Sequence, residues 1–256
     1  MQAYRPAFAR VYNEKWTDFA RHVAPLIRAL YESTPLGATE KSLLDVCCGT
    51  GQLAQHFLEH GYRVTGIDLS APMLDYARQN NASYVEAGQA RFLQADAADF
   101  RLDEQFGLVV STFDALNHLP GQEALCGCLA SVYPLLLPSG FFIFDLNTRA
   151  GLVRWNGINV RDMPDHLIID RGIYEEERDR AWVRITGFIR TESGLYERFE
   201  QTAYNTAYDL AWVRDELYHA GWRGVYFARI DDLGMPVPDP ETLNRAFIIA
   251  HKGASP

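Results

Sequence analysis

The segment Leu43-Leu44-Asp45-Val46-Cys47-Cys48-Gly49-Thr50-Gly51-Gln52 limits the folds open to this 256-residue chain more than any other. A short apolar run, SLLDV (42–46), ends in closely spaced glycines, and GQLAQHFLEHG (51–61) then reads as a helix stopped by Gly61. Glycines between a buried strand and a helix keep the turn tight and let a ligand approach the backbone. The alternation continues. YRVTGIDL (62–69), ARFLQAD (90–96), FGLVVST (106–112) and GFFIFDL (140–146) read as strands, and APMLDYARQN (71–80) and QEALCGCLASVYPLL (122–136) as helices. Strands alternating with helices of this length imply βαβ units, right-handed crossovers and a parallel sheet.

On either side of this core the pattern differs. Residues 7–31 read as a helix interrupted at Pro25, with Phe8, Tyr12, Trp16 and Phe19 at helical spacing. From 151 to 208 the period becomes two, in HLIIDRGIYEE, AWVRITGFIR and LYERFEQTAY, with turn signals at Asp179 and Ser193-Gly194. A helix, DLAWVRDELYHAG (209–221), and two strands, RGVYFARI (223–230) and RAFIIAHK (245–252), follow. We therefore expect an N-terminal helical arm over 1–35, an α/β domain over 36–150 and 209–256, and an antiparallel β insertion nested at 151–208.

Gly49-x-Gly51-x-x-Ala54 satisfies a dinucleotide-binding fingerprint, so the glycines alone do not name the ligand. The carboxylates discriminate. Asp45, Asp68 and Asp96 close three successive strands, whose carboxyl ends face one crevice in an open parallel sheet. Asp68 lies where an acid commonly holds ribose hydroxyls. Asp45, beside the glycine turn, would meet a pyrophosphate with like charge at close range. Three acids suit a phosphate-free nucleoside with cationic groups, and S-adenosylmethionine, with its ammonium and sulfonium, is such a ligand. The bland alternative has Asp45 and Asp96 merely capping turns; three acids on successive strand ends weigh against it.

The motifs LLDVCCGTGQLA, VTGIDLSAPMLDYAR, RFLQADAADF and FGLVVSTFDALNHL together resemble the class I S-adenosylmethionine-dependent methyltransferases over residues 40–146. The resemblance implies an α/β, Rossmann-like sheet that is doubly wound, seven-stranded and mostly parallel. It also implies S-adenosyl-L-methionine as cofactor. Carried residue by residue, it gives Asp68 the ribose, Leu69 and Met73 the adenine, Asp96 and Ala97 the adenine amino group, and Ser111 and Thr112 the methionine ammonium. Asp45, Gly49 and Gly51 belong to the same set. Cys47 stands in the usual first glycine position, where its small side chain leads us to expect a tighter fit. In similar enzymes an N-terminal arm lies over the cofactor, so Tyr4, Tyr12 and Trp16 are assigned to that side, while Phe8 is expected to pack.

Methyl transfer is an in-line displacement that needs a base only if the acceptor arrives protonated. His118, in Asp114-Ala115-Leu116-Asn117-His118, is the candidate, and the resembling sugar N,N-dimethyltransferases carry a histidine there. A structural histidine capping the next helix competes with this reading. Asp114, Asn147, Trp155 and Tyr174 are candidate acceptor residues, and the inserted strands are expected to cover the acceptor or pair two subunits as a homodimer. The net charge of −9, and the eight arginines against ten acids in the insertion, give no basic surface for nucleic acid. No stretch approaches eighteen apolar residues, and MQAYRPAFARVYNEKW has no uninterrupted apolar run, so neither a membrane span nor a secretory signal is expected and the cytoplasm is the expected location. No Cys/His set completes a metal site. The expected activity is methyl transfer to an amine or hydroxyl of a small-molecule acceptor. An NAD-dependent dehydrogenase and a non-enzymatic cofactor-binding module are the alternatives, with aminopropyl transfer a more distant one.

Overall fold

The computed structural model describes residues 4–191 and 193–254. Two helices open the chain, α1 (Pro6–Lys15) and α2 (Asp18–Glu32). The break falls at Trp16-Thr17, not at Pro25, which lies inside α2. The two helices serve different surfaces. Phe8 and Val11 of α1 are buried in a cluster that includes Met73 and Phe199, whereas Val23, Ala24, Ile27 and Tyr31 of α2 enter the core beneath the sheet. That apolar face offsets the cost of an internal proline, about 3 kcal/mol.

The α/β region then runs β1 (Ser42–Val46), α3 (Gln52–Glu59), β2 (Arg63–Asp68), α4 (Ala71–Asn80), α5 (Ala82–Glu86), β3 (Ala90–Gln94), β4 (Phe106–Ser111), α6 (Gln122–Val132) and β5 (Leu136–Asn147). Beyond it lie the short α7 (Arg149–Leu152), four strands, β6 (Gly157–Met163), β7 (His166–Glu175), β8 (Arg180–Arg190) and β9 (Tyr196–Thr206), and then α8 (Leu210–Ala220), β10 (Gly224–Arg229), β11 (Asp232–Pro236) and β12 (Arg245–His251). The main sheet has the order β11-β10-β12-β5-β4-β1-β2-β3, with β1 to β5 parallel and β12 antiparallel to β5. It holds eight strands where seven were expected. The extra one, β11, is a five-residue edge strand hairpinned onto β10, and its Gly234 and Pro236 conceal it from a pattern search. β6 to β9 form a separate antiparallel sheet, of which β6 has no buried residue and so carries no alternation to read. No helix among the described residues is long and apolar enough to cross a membrane.

Strand order reverses between β1 and β4, which opens a crevice at their carboxyl ends. A buried ion cluster shapes one wall of it. Past β4 the backbone turns through two consecutive left-handed residues, Phe113 (φ 66°) and Asp114 (φ 49°). Their N–H groups donate to the two carboxylate oxygens of Asp145 on β5, at 2.7 and 2.9 Å. Arg245, opposite Asn147 at the start of β12, donates to Asp145 and to Asp114, the latter at 2.6 Å. Its guanidinium lies 4.7 Å from the ring centre of Phe19, which stacks on Phe113. Left-handed non-glycine residues cost about 1–2 kcal/mol each, and this clasp holds two of them in place.

Replacing Arg245 with methionine leaves two buried carboxylates without their cation, and we expect a loss of about 3–5 kcal/mol at neutral pH by urea denaturation. Burial raises the Asp145 carboxyl and Arg245 opposes that rise. In the variant the folded state therefore holds protons that the unfolded chain releases, so stability is highest in acid and falls as pH rises through the raised folded value. The gap between variant and wild type should narrow as pH drops toward the ordinary carboxylate range; a gap independent of pH would contradict this account.

Candidate functional site

The turn after β1 is built from residues that rarely share one. Cys47 adopts φ 62°, a left-handed backbone that suits glycine, and Gly49 (φ 54°) and Gly51 (φ 81°) follow. The cysteine thus carries glycine's conformation at a cost on the order of 1–2 kcal/mol, and its thiol, pushed up by burial and by Asp68, is held neutral. The two glycines do different jobs. A Cβ on Gly51 would come within 2.8 Å of the Asn81 amide and 3.1 Å of Ala77, so its bareness lets α3 pack on α4. A Cβ on Gly49 would instead point at the Tyr12 ring, 3.6 Å away, so this glycine keeps open the gap between the turn and the arm.

Asp68, at the end of β2, accepts the Gly49 N–H at 2.9 Å and the Ser70 N–H at 2.8 Å. Ser70 caps α4 by accepting from the Met73 N–H and donates its hydroxyl to the Tyr4 carbonyl at 3.0 Å. Asp68 and Ser70 therefore together tie turn, helix and arm. Asp45 is buried at 2 % exposure and its Oδ2 has no hydrogen-bond partner. Burial, and then Asp68, push its carboxyl well above the usual range. Beside it lies a space of about 30 Å³ lined by Tyr12, Trp16, Cys47, Thr112 and Phe113. An unbonded buried carboxyl of this kind is normally satisfied by a cation, a donor or a water.

Tyr4, Tyr12, Cys47, Gly49, Asp68 and Ser70 border one cavity of about 600 Å³ that runs from the carboxyl ends of the main sheet to the face of the inserted sheet, and Asp45 lies outside its lining, against the smaller space alone. Of the residues singled out from the sequence, Tyr4, Tyr12, Trp16, Cys47, Gly49, Asp68, Leu69, Met73, Thr112, Asp114, His118 and Trp155 line it. Phe8 both packs against Phe199 and reaches the wall. The others lie outside the lining. Asp96 accepts from the Ala98 N–H at 2.9 Å, and Ala97 is buried in the core. Ser111 is buried with its hydroxyl unpartnered, and Gly51 serves packing. Asn147 is buried against Asn117, and Tyr174 donates to Asp179 on the insertion.

His118 is held on both sides. Asn117 donates to the carbonyls of Asn147 at 3.0 Å and Thr206 at 2.9 Å, pinning the short helical turn between β5 and β9. The Nδ1 of His118 lies 2.7 Å from the Tyr204 carbonyl, an acceptor only, which makes Nδ1 the protonated nitrogen. Nε2 then presents its lone pair beside the Tyr4 hydroxyl, 3.4 Å away. Burial, with Asp114 and Asp68 nearby, raises the Tyr4 phenol and keeps it a neutral donor.

Sequence reasoning missed Asn117, Arg245 and most of the inserted sheet's share of the wall: Arg161, Asp170, Arg180, Tyr204 and Asn205. Arg245 left one readable signal, a lone charge opening the apolar run AFIIA. The inserted residues left none, because period two does not say which face of a sheet meets a ligand.

A family model described as a methyltransferase domain matches residues 43–140. A dTDP-3-amino-3,6-dideoxy-alpha-D-glucopyranose N,N-dimethyltransferase of Streptomyces fradiae is 33% identical over 213 residues, covering 73% of this chain and 78% of that protein. Among solved structures, an S-adenosylmethionine-dependent methyltransferase from Clostridium acetobutylicum superposes with a TM-score of 0.82 at 20% identity, over 97% of this chain and 98% of that one. DesVI of Streptomyces venezuelae gives 0.77 at 23% identity, over 96% and 99%. The orphaned Asp45 carboxyl, the gap at Gly49 and the Asp68 carboxylate fit the cationic, phosphate-free cofactor that such enzymes use. The chain belongs to the class I S-adenosylmethionine-dependent methyltransferases.

Proposed function

We propose that this enzyme methylates an amine nitrogen on a small, sugar-like acceptor, with His118 as the group that takes up the proton. The observation that carries the reading is the 2.7 Å contact between His118 Nδ1 and the Tyr204 carbonyl, which is closer than the 3.3 Å contact of the same nitrogen with the Asn205 amide. The Nδ1 proton is committed to the Tyr204 carbonyl, so Nε2 is left as an acceptor at the cavity wall. The Streptomyces fradiae relative, named for N,N-dimethylation of an aminosugar, supports an amine over a hydroxyl. Bound S-adenosylmethionine supplies a methyl group already activated on a positively charged sulfur.

The chain's own residues then have separable tasks. Asp68, fixed by two backbone N–H donors, still has lone pairs for ribose hydroxyls, and Leu69 and Met73 offer an apolar wall to the adenine. Asp45 and the backbone at Thr112 face the ammonium end, and that cation lowers the cost of ionising the buried carboxyl. Tyr4, Tyr12 and Trp16, carried by the arm, shield the reacting region from water, which favours alignment over hydrolysis. An acceptor amine that arrives as an ammonium loses a proton to the one lone pair of Nε2 of His118, taking the place of the Tyr4 hydroxyl there, while the Tyr204 carbonyl holds the ring through Nδ1. The inserted sheet closes the acceptor side through Trp155, Tyr204 and their neighbours.

Asp68→Ala should weaken S-adenosylmethionine binding by about tenfold or more, since a charged hydrogen-bond acceptor contributes roughly 1.5–3 kcal/mol; unchanged affinity by calorimetry would remove the ribose assignment. His118→Ala should leave cofactor affinity intact and lower turnover of an aminosugar acceptor by about 10²-fold, measured with methyl-labelled cofactor. Turnover equal to wild type would return His118 to a structural role.

A further inference from the structure

The acceptor end of the cavity carries one more negative charge than its basic side chains answer. Among the described residues lining the cavity, the carboxylates are Asp68, Asp114 and Asp170 and the guanidinium groups are Arg161, Arg180 and Arg245. Asp68 is met by backbone N–H groups at the other end. Arg161 is taken up by Asp170 at 2.8 Å and Arg180 by Glu175 at 2.7 Å. Arg245 serves two acids at once, Asp145 and Asp114. Asp145 accepts from the N–H groups of Phe113 and Asp114 as well as from Arg245, an arrangement that suits a carboxylate. The clasp therefore holds one cation and two anions. Its surplus falls on Asp114, the acid that reaches the wall: 10 % of that side chain is exposed, against 0 % for Asp145.

Asp114 is held where that charge can act. Its left-handed backbone commits its N–H to Asp145, and its Oδ1 accepts from Nη2 of Arg245 at 2.6 Å. Among the described residues no hydrogen bond reaches its Oδ2. The short helical turn that Asp114 opens carries His118 at its end, and Nε2 of that ring lies 3.4 Å from the Tyr4 hydroxyl. After burial, Asp114 is the charge that does most to raise the Tyr4 phenol, and it raises the Tyr12 phenol as well. One carboxylate, one imidazole and two phenols thus border the same part of the cavity.

Nitrogen and oxygen acceptors make opposite demands on such a place. An amine forms the new N–C bond with its lone pair while the C–S pair returns to sulfur, so the positive charge that sulfur loses arises on nitrogen. A hydroxyl that gives up its proton before attack becomes an alkoxide, which meets Asp114 with like charge. Resting on the methyl-transfer reading of the same cavity, we propose that Asp114 is an ammonium-recognition residue: it receives the positive charge that arises on the acceptor nitrogen and thereby selects an amine over a hydroxyl. A carboxylate placed where charge develops stabilises the transition state more than the ground state. His118 remains the proton acceptor, and Arg245 acts on the site by holding Asp114 in place.

The test needs neither an acceptor nor turnover. Sinefungin, in which a carbon bearing an ammonium replaces the sulfur and its methyl group, brings a positive charge to this point, and S-adenosylhomocysteine brings none. Both are titrated by calorimetry into the full chain at about pH 7. We expect wild type to prefer sinefungin by at least about tenfold. Asp114→Asn should lose most of that preference while keeping its affinity for S-adenosylhomocysteine, which also reports that the variant folds. Asp114→Glu, which keeps the charge, should retain more of the preference than Asp114→Asn. No preference for sinefungin in wild type, the same preference in wild type and Asp114→Asn, or an Asp114→Glu protein no better than Asp114→Asn would each overturn the proposal; the wild-type comparison stands without the variants. Whether labelled cofactor is consumed with any amine acceptor judges the methyl-transfer reading separately.

Discussion

One guanidinium among four carboxylates sets the character of this protein's catalytic end. Asp45, Asp114 and Asp145 are buried and Asp68 is partly so, all at or just beyond the carboxyl ends of β1, β2, β4 and β5; Arg245 answers two of them, Asp114 and Asp145. Asp68 is steadied by backbone N–H groups, and Asp45 retains an unbonded oxygen. The sheet could not assemble with all four charged and uncompensated, since each buried, unpaired charge costs several kcal/mol. The fold accepts the imbalance by spending backbone donors on two acids and raising the Asp45 carboxyl. What is left is an excess of negative charge at this end of the sheet, and the family's cofactor is a cationic nucleoside.

The arm and the inserted sheet depend on that end. Ser70, two residues beyond Asp68, donates to the Tyr4 carbonyl, while Arg10 and Lys15 on α1 pair with Glu197 and Asp165 of the insertion. The arm thus touches the main-sheet end of the cavity through a hydrogen bond and the inserted sheet through surface ion pairs. Surface pairs contribute about 0–1 kcal/mol each, so the apolar cluster of Phe8, Val11, Met73, Ile168 and Phe199 supplies most of the adhesion. An enclosure held mainly by apolar contact can exclude water while still admitting its ligands.

Much of this was legible in the chain because the parallel sheet leaves a strong pattern. Alternating apolar runs and helices located β1 to β5; of the acids closing three of those strands, Asp68 lines the cavity, Asp45 meets only the small space beside it, and Asp96 is taken up by the Ala98 N–H. The reading failed where the physics is not local. Pro25 looked like a helix breaker, yet the buried face of α2 overrides it and the bend falls at Trp16-Thr17, where the two helices part for different surfaces. β11 and β6 are edge strands without a buried stripe. The side chains of Asn117 and Arg245 act through partners far away in sequence, and nothing in their own neighbourhoods announces those partners.

The central claim is that burial, and then Asp68, raise the Asp45 carboxyl in the free protein and that a bound cation lowers it. It is tested most directly by calorimetric titration of S-adenosylmethionine into the protein at about pH 6, repeated in buffers of different ionisation enthalpy to count protons. A carboxyl whose value is raised in the free protein and lowered by a bound cation must release a proton on binding, and affinity must rise with pH until that carboxyl is ionised. The account predicts net proton release in wild type and its loss in Asp45→Asn. Proton-neutral binding in wild type, or the same release in both proteins, would contradict it.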